Sequence, residues 1–444
     1  MSEAITYQYN SHSTFEKNNN HLALAKYSEN DKKQNDCFFE GVLMHPFLVS
    51  RCLITLSNIV KSRFTLTPSQ ILMMKDPIVT SGGEKIRFEG FSSCAGIYGR
   101  VDLIEKESKS NFLQNGTTNV DFNQKIISAL GAIQTTDTLL LSVGKKAISI
   151  DTKKEKVVEK KVSLPNKWIK GLTTVQHYFS LSSHYLTLNR LQTLQLFKSI
   201  PKGTVKNKYY LIKRGNRFLF SPLEVKEAIT IGGIHRLQLL TPLLPHIDQM
   251  KIYAHPNMQS ISFCLHLKEI VFTFSLSSDV YRGFSGEGAL LEELLEDVPQ
   301  QIIEQLDNYS FVNQSFSFIE LALQASNVHH KIVDLTSKLS AMGMLGYELE
   351  KGEFFYRRLP FKLHRILTLN PRLKGVEKLL SEKKVHIILN TKSKVEASVE
   401  GSGVTHFVVL NETSHCTCVW FSTYQNKRGS CKHILAVKKM IKGA

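Results

Sequence analysis

The sequence predicts an α+β protein: a β-rich, largely antiparallel N-terminal body, a short unit of two helices and a hairpin, and a small metal-binding module at the C-terminus. Three observations predict it. From Cys37 to Phe274, short apolar runs alternate with polar residues, the two-residue period of half-buried strands. From Ser315 the apolar spacing lengthens to three and four, the period of helices. Near the end, Cys416-Thr417-Cys418 is followed after twelve residues by Cys431-Lys432-His433.

Composition sets the outer limits. A chain of 444 residues with 42% hydrophobic and 21% charged positions is of the globular class, and about 150 residues per domain suggests two to four units. No run approaches the roughly 18 apolar residues of a membrane span. Met1-Ser2-Glu3-Ala4 lacks the basic start of a signal peptide, so a cytoplasmic location is expected. Outside the terminal motif, Cys37, Cys52, Cys94 and Cys264 are isolated and read as buried free thiols rather than disulfides. The net charge of +17 suggests an anionic partner. From Pro360 to Ala444 there are fifteen Lys+Arg against five Asp+Glu, so +10 of that charge surrounds the motif, while residues 287–307 are acidic. The competing reading is a solvated basic surface.

In chain order, residues 1–36 are Asn- and Lys-rich and expected to be loose, with Leu22 to Ala25 docking as a strand. The body spans 37–310, with a break near 200. Helices are expected over Ser50 to Ser62 and Tyr185 to Ile200, and strands over 86–91, 97–103, 139–143, 147–150, 156–162, 208–213, 217–220, 250–254, 261–267 and 269–274. Gly116 to Asn119 reads as a turn, and Trp168 as a core anchor. Gly283, Gly286 and Gly288 read as the entry to a helix over Ala289 to Glu296, since the strand a phosphate loop needs is missing. Over 311–360, Phe316 to Ala325 and His330 to Met342 read as helices, followed by a hairpin of Leu345 to Leu349 and Phe354 to Arg358. That is the order of a winged-helix unit, which would expose His329, Lys331 and Lys338 on its second helix and Arg357 and Arg358 on its wing. Residues 361–384, with Lys362, Arg365, Arg372 and Lys374, read as a basic linker before the metal module at 385–444.

Three thiols and an imidazole supply the soft S and N donors of one four-coordinate structural Zn2+, with Cys416, Cys418, Cys431 and His433 as ligands. His415 abuts Cys416 and is the other imidazole at hand; it reads as a solvated neighbour. Thr405 to Leu410 alternates as a strand upstream, and Ile434 to Ile441 is apolar at helical spacing downstream. The C-x-C-x(12)-C-x-H pattern in this strand and helix setting resembles a SWIM-type zinc finger, whose members bind DNA or proteins. Phe91 to Leu103, Gly116 to Asn123, Lys161 to Gly171 and Gly283 to Gly288 are similar to stretches of a bacterial family that carries such a finger on a long β-rich body. That resemblance implies a gene neighbourhood with a MoxR-type AAA+ ATPase and a von Willebrand factor A-domain protein, and so protein partners.

Function is bounded by what the motifs omit. The sequence has no P-loop, nucleophile elbow or H-E-x-x-H, and a closed Cys3His site leaves no position for a substrate, so a non-enzymatic protein is expected. Two readings follow. One is an interaction adaptor whose finger presents Lys427, Arg428, Lys432, Lys438 and Lys439. The other is a DNA- or RNA-binding protein using the same residues together with Lys331, Lys338, Arg357 and Arg358.

Overall fold

The computed structural model describes residues 14–16, 21–24, 26–27, 37–62, 78–82, 85–104, 111–112, 116–120, 124–137, 139–144, 166–278, 283–285, 315–316, 339–357, 359, 370–401, 403–426 and 429–442. Alternation organises its centre. Ser260–Leu267 and Ile270–Ser277 form an antiparallel hairpin whose turn places Lys268 at φ 57°. These two strands sit inside a nine-stranded sheet ordered Ser183–Asn189, Gln249–Ala254, Ser260–Leu267, Ile270–Ser277, Ile97–Ile104, Lys85–Phe91, Ile78–Gly82, Gly116–Val120 and Lys26–Tyr27. Every pairing in it is antiparallel.

Both faces of the sheet are covered, which is why Ile270–Ser277 is buried along its whole length. On one face Phe88, Val101, Phe263 and Phe272 meet Leu53, Leu56 and Ile59 of helix Pro46–Lys61. On the other, Phe91 and Tyr98 meet Leu172, Val175 and Phe179 of helix Asn166–Leu181. A second sheet has five strands, in which Leu140–Gly144 pairs parallel with His21–Leu24 and antiparallel with Cys37–Val42. A third, of three strands, joins Arg217–Ser221, Tyr209–Arg214 and Ile229–Ile231.

Several expectations change. Tyr185 to Ile200 is not one helix: Ser183–Asn189 is a strand against Gln249–Ala254, and only Arg190–Lys198 is helical. Its true start was legible, because Asn189 accepts from Gln192 N at 2.9 Å and the Gln192 side chain accepts from Asn189 N, a capping box. Gly116 to Asn119 is a strand, not a turn. Within the expected loose tail, Thr14–Glu16, His21–Leu24 and Lys26–Tyr27 join sheets. Trp168 lies on helix Asn166–Leu181, which the sequence reading did not anticipate. Gly283, with φ +56°, is a packing glycine: a Cβ there would stand 2.0 Å from the Ala95 carbonyl oxygen. The strands expected at 147–150 and 156–162 and the helix at 289–296 lie outside the described residues.

The hairpin is present, as Leu345–Glu348 and Glu353–Tyr356, with Gly352 at φ 70° in its turn. Its setting differs from a wing. It lies against the second face of the nine-stranded sheet, where Glu348 accepts from Arg87 Nη2 at 2.6 Å and Nε at 2.8 Å, and pairs with Lys85 at 3.1 Å and Arg100 at 3.4 Å. Arg357, expected to be exposed, is 0% exposed. Its Nη1 meets Glu89 and its Nη2 donates to Leu172 O at 3.0 Å. A guanidinium so engaged is desolvated and cannot serve a nucleic acid, so Arg357 is not part of an exposed basic wing. Phe316 belongs to a two-residue strand paired with Glu353–Tyr356 rather than to a helix. The rest of the first expected helix, His329, Lys331, Lys338 and Arg358 lie outside the described residues.

The C-terminal residues form a four-stranded antiparallel sheet of Val385–Asn390, Val395–Glu400, Thr405–Leu410 and Ser414–Cys416. Val385, Ala397, Val399 and Val408 on one face pack with Leu373 and Val376 of helix Pro371–Ser381 and with Ile434 and Leu435 of helix Lys432–Lys442. Helix Pro371–Ser381, placed in the linker by its charge, therefore contributes to this core. Asn370 caps it by accepting from Arg372 N at 3.1 Å, with Pro371 next, both helix-start residues.

Candidate metal centre

The four ligand positions are assembled by local geometry that their spacing dictates. Ser414–Cys416 pairs with Thr405–Leu410, placing Cys416 opposite Val408. Between the two cysteines, Thr417 ties to Phe407 twice, donating N–H to its carbonyl at 3.1 Å and accepting its N–H at Oγ1 at 3.0 Å. Alternation then sends Cys416 and Cys418 to the same side. Cys418 precedes the short helix Val419–Tyr424. Gln425 and Asn426 turn the chain back at φ 44° and 62°, and Asn426 Nδ2 donates to Ser414 O at 2.8 Å. Cys431 then stands immediately before helix Lys432–Lys442, and His433 falls in its first turn.

These elements bring one donor atom from each of Cys416, Cys418, Cys431 and His433 within 4.8 Å of one another, with all four side chains buried. A tetrahedral centre with S bonds of about 2.3 Å has edges of about 3.8 Å, so the residues fit a metal once their widest separation closes by about 1 Å. His433 Nδ1 lies 3.7 Å from Cys416 Sγ, already at that edge. Ile434 N donates to Cys431 Sγ at 3.5 Å, and a helix N-terminus favours the thiolate form that a metal requires. The Cys418 thiol is held well below its ordinary range because Cys416 and Cys431 donate to it. His415 is not among the converging atoms; it is exposed and packs against Phe421 at 4.7 Å between ring centroids.

Two supports of the site carry no local signature in the sequence. The His406 ring lies 4.3 Å from that of His433, tilted by 34°, which limits how the ligand ring can turn. Arg372, from the first helix of the module, donates to Ser430 O at 2.9 Å and Gly429 O at 3.3 Å and stacks over Trp420 at 4.5 Å. Trp420 Nε1 also donates to Gly429 O at 3.3 Å. The loop that delivers Cys431 is thus clamped from two sides. Replacing Arg372 by Ala is expected to lower metal affinity by about 10–100-fold, the usual cost of losing an outer support, with the module still folded at saturating metal. Competition with a chromophoric chelator measures it, and Arg372→Lys should restore little, because an ammonium offers neither the flat stack nor the fork.

Of the residues expected to present a basic surface, Lys432 is exposed and its stem lies over Gly375. Lys438 and Lys439 are half-buried on the same helix. Lys427 and Arg428 lie outside the described residues. Beside the ligands runs an open, mostly apolar groove of about 320 Å³, lined by His406, Val419, Trp420 and Lys432, with Cys418, Cys431 and His433 at its floor. Val419 is 79% exposed.

No protein-family model matches the chain, and no curated protein does. Among solved structures, the chain is similar to Proliferating Cellular Nuclear Antigen from Entamoeba histolytica at 12% identity and a TM-score of 0.30, over 55% of this chain and 99% of that one. It is also similar to the PCNA2-PCNA3 complex from Sulfolobus tokodaii at 8% identity and a TM-score of 0.34, over 54% and 98%. The Caulobacter crescentus pol III beta chain matches at 7% identity and a TM-score of 0.33, over 84% and 87%. No helix among the described residues is long and apolar enough to cross a membrane.

Proposed function

We propose that the C-terminal module is a SWIM-type finger holding one structural zinc ion, and that the protein is a non-enzymatic adaptor whose finger presents a basic recognition surface. The convergence of four buried donors within 4.8 Å, inside a core of their own, supports this reading. Three sulfurs and one imidazole are a zinc donor set, and with all four coordination positions supplied by protein the ion builds structure rather than activating water. The partners proposed are a MoxR-type AAA+ ATPase and a von Willebrand factor A-domain protein, joined by this chain into one assembly.

Co-expression of the three proteins followed by tagged purification, with and without nuclease, tests the reading. Both partners should be retained at low salt after nuclease treatment, and neither by a chain lacking the zinc ligands. Recovery of nucleic acid in their place, with affinity falling steeply as salt rises because phosphate contacts release counterions, would replace the adaptor with a DNA- or RNA-binding protein.

A further inference from the structure

A second concentration of positive charge lies in the body, on the three-stranded sheet and the segments beside it. Residues 198–227 hold eight Lys+Arg against Glu224 and Glu227. All ten side chains are exposed, and none is in an ion pair among the described residues. Leu211, Phe220, Ile229 and Ile231 seat the sheet on the main core. Phe220 N donates to Ser199 Oγ at 2.9 Å, tying the sheet to the end of helix Arg190–Lys198. From this base Tyr209–Arg214 and Arg217–Ser221 run out to a two-residue loop, with Gly215 first in it at φ 57°. A Cβ on Gly215 would meet nothing within 4 Å, so the tip stands in open solvent. The loop fixes the register, and the register sets Arg214 directly opposite Arg217. Like charges so placed repel, and among the described residues no carboxylate pairs with either. Alternation turns this pair to one face of the hairpin and Lys213, opposite Phe218, to the other.

We propose that this hairpin docks on duplex DNA, its tip in the major groove and Lys213, Arg214 and Arg217 on the phosphates at either side. Shape and chemistry select this partner. The major groove of DNA, about 12 Å wide, admits a two-stranded ribbon, whereas the corresponding groove of an RNA duplex is too narrow. Cations on both faces of the ribbon meet phosphates on both walls of a groove; a lipid surface would engage one face and leave the other in water. A protein interface is anchored by aromatic or aliphatic side chains, and a single strand stacks its bases on exposed rings. The tip, Lys213-Arg214-Gly215-Asn216-Arg217, offers neither. This surface is independent of the metal module and of the partners proposed for it.

Fluorescence anisotropy on the full-length protein tests the assignment, with a labelled mixed-sequence DNA duplex as probe. Duplex RNA, single-stranded DNA, polyglutamate and phosphatidylglycerol vesicles serve as competitors. The duplex should bind with a Kd of about 1–100 μM near physiological salt, and unlabelled DNA duplex should displace it better than any of the four. Arg214→Ala with Arg217→Ala should weaken binding about tenfold or more. It should also flatten the slope of log K against log salt by about 2, one for each lost phosphate contact, with the urea midpoint unchanged. Arg214→Lys with Arg217→Lys should keep most of that slope, because the charge remains. Cys431→Ser should leave both affinity and slope in place, so a failure of the metal module and a failure of this surface are read separately. Silence at low salt, equal or better displacement by any of the four competitors, an unchanged slope in the alanine variant, or binding that vanishes with Cys431→Ser would overturn it.

Discussion

Cys431→Ser is expected to release the metal and unfold the C-terminal module from about Asn370 onward, while the nine-stranded sheet stays folded. The reason is the size of the core. Each buried Val or Leu contributes about 1.5–3 kcal/mol, but ordering the backbone costs about 1–2 kcal/mol per residue, so a module built on one short sheet and two packed helices keeps little surplus. A structural zinc ion adds about 10–16 kcal/mol of apparent binding energy in comparable modules, which is enough to determine the outcome. The two tryptophans allow the units to be followed separately, because Trp168 lies on a helix of the body and Trp420 on the short helix after Cys418. Elemental analysis should fall from one metal ion per chain to none, and the fluorescence of Trp420 in a Trp168→Phe background should lose its folded signal. A module that keeps its protease resistance without metal would show that its apolar core is sufficient alone.

Glu348→Ala should destabilise the body by about 3–5 kcal/mol, the cost of stripping one partner from a buried ion cluster. Burial opposes ionisation of this carboxyl, but Arg87, Arg100 and Lys85 outweigh it and hold its pKa well below the usual carboxylate range. Removing the side chain leaves those three cations with Asp102 as the remaining carboxylate of the cluster among the described residues. The pH dependence follows with its sign. A carboxyl whose pKa is depressed in the folded state contributes its full stability above the unfolded value of 4.5, and loses it as pH falls toward the folded value. The gap in urea midpoint between wild type and Glu348→Ala, read from Trp168 in a Trp420→Phe background, should be widest at neutral pH and narrow below pH 4.5. A gap that stays constant down to strongly acidic pH would mean that the loss is one of packing rather than charge.

Legibility tracked the range of the interactions involved. The convergence of four donors that could hold a metal ion was readable because their spacing is local: a strand end sends Cys416 and Cys418 to one side, and a helix start carries Cys431 and His433. The central hairpin was readable for the same reason, since the alternation of Ser262, Phe263, Cys264 and Leu265 is itself the pattern of a two-faced strand. Tyr185 and Leu188 misled because their spacing suits a helix, whereas pairing with Gln249–Ala254 draws them into a strand. Arg372 looked like one more linker charge, since nothing near it in sequence announces Trp420 or the carbonyls it clamps. Arg357 looked like a surface residue because arginine usually is one, and its partner Glu89 lies far away along the chain.

The sequence alone determined that a Cys3His donor set exists, that residues 86–91, 97–103, 250–254, 261–267 and 270–274 are strands, and where the positive charge concentrates, because each rests on contacts or counts within a few residues. Only the tertiary structure decided which charges are available to a partner and which are spent inside. It buries Arg87, Arg100 and Arg357 against Glu348, Asp102 and Glu89 while leaving Lys351 and Lys432 at the surface. Whether a cation is solvated depends on which distant carboxylate the fold sets beside it, and residue type and spacing along the chain do not carry that information.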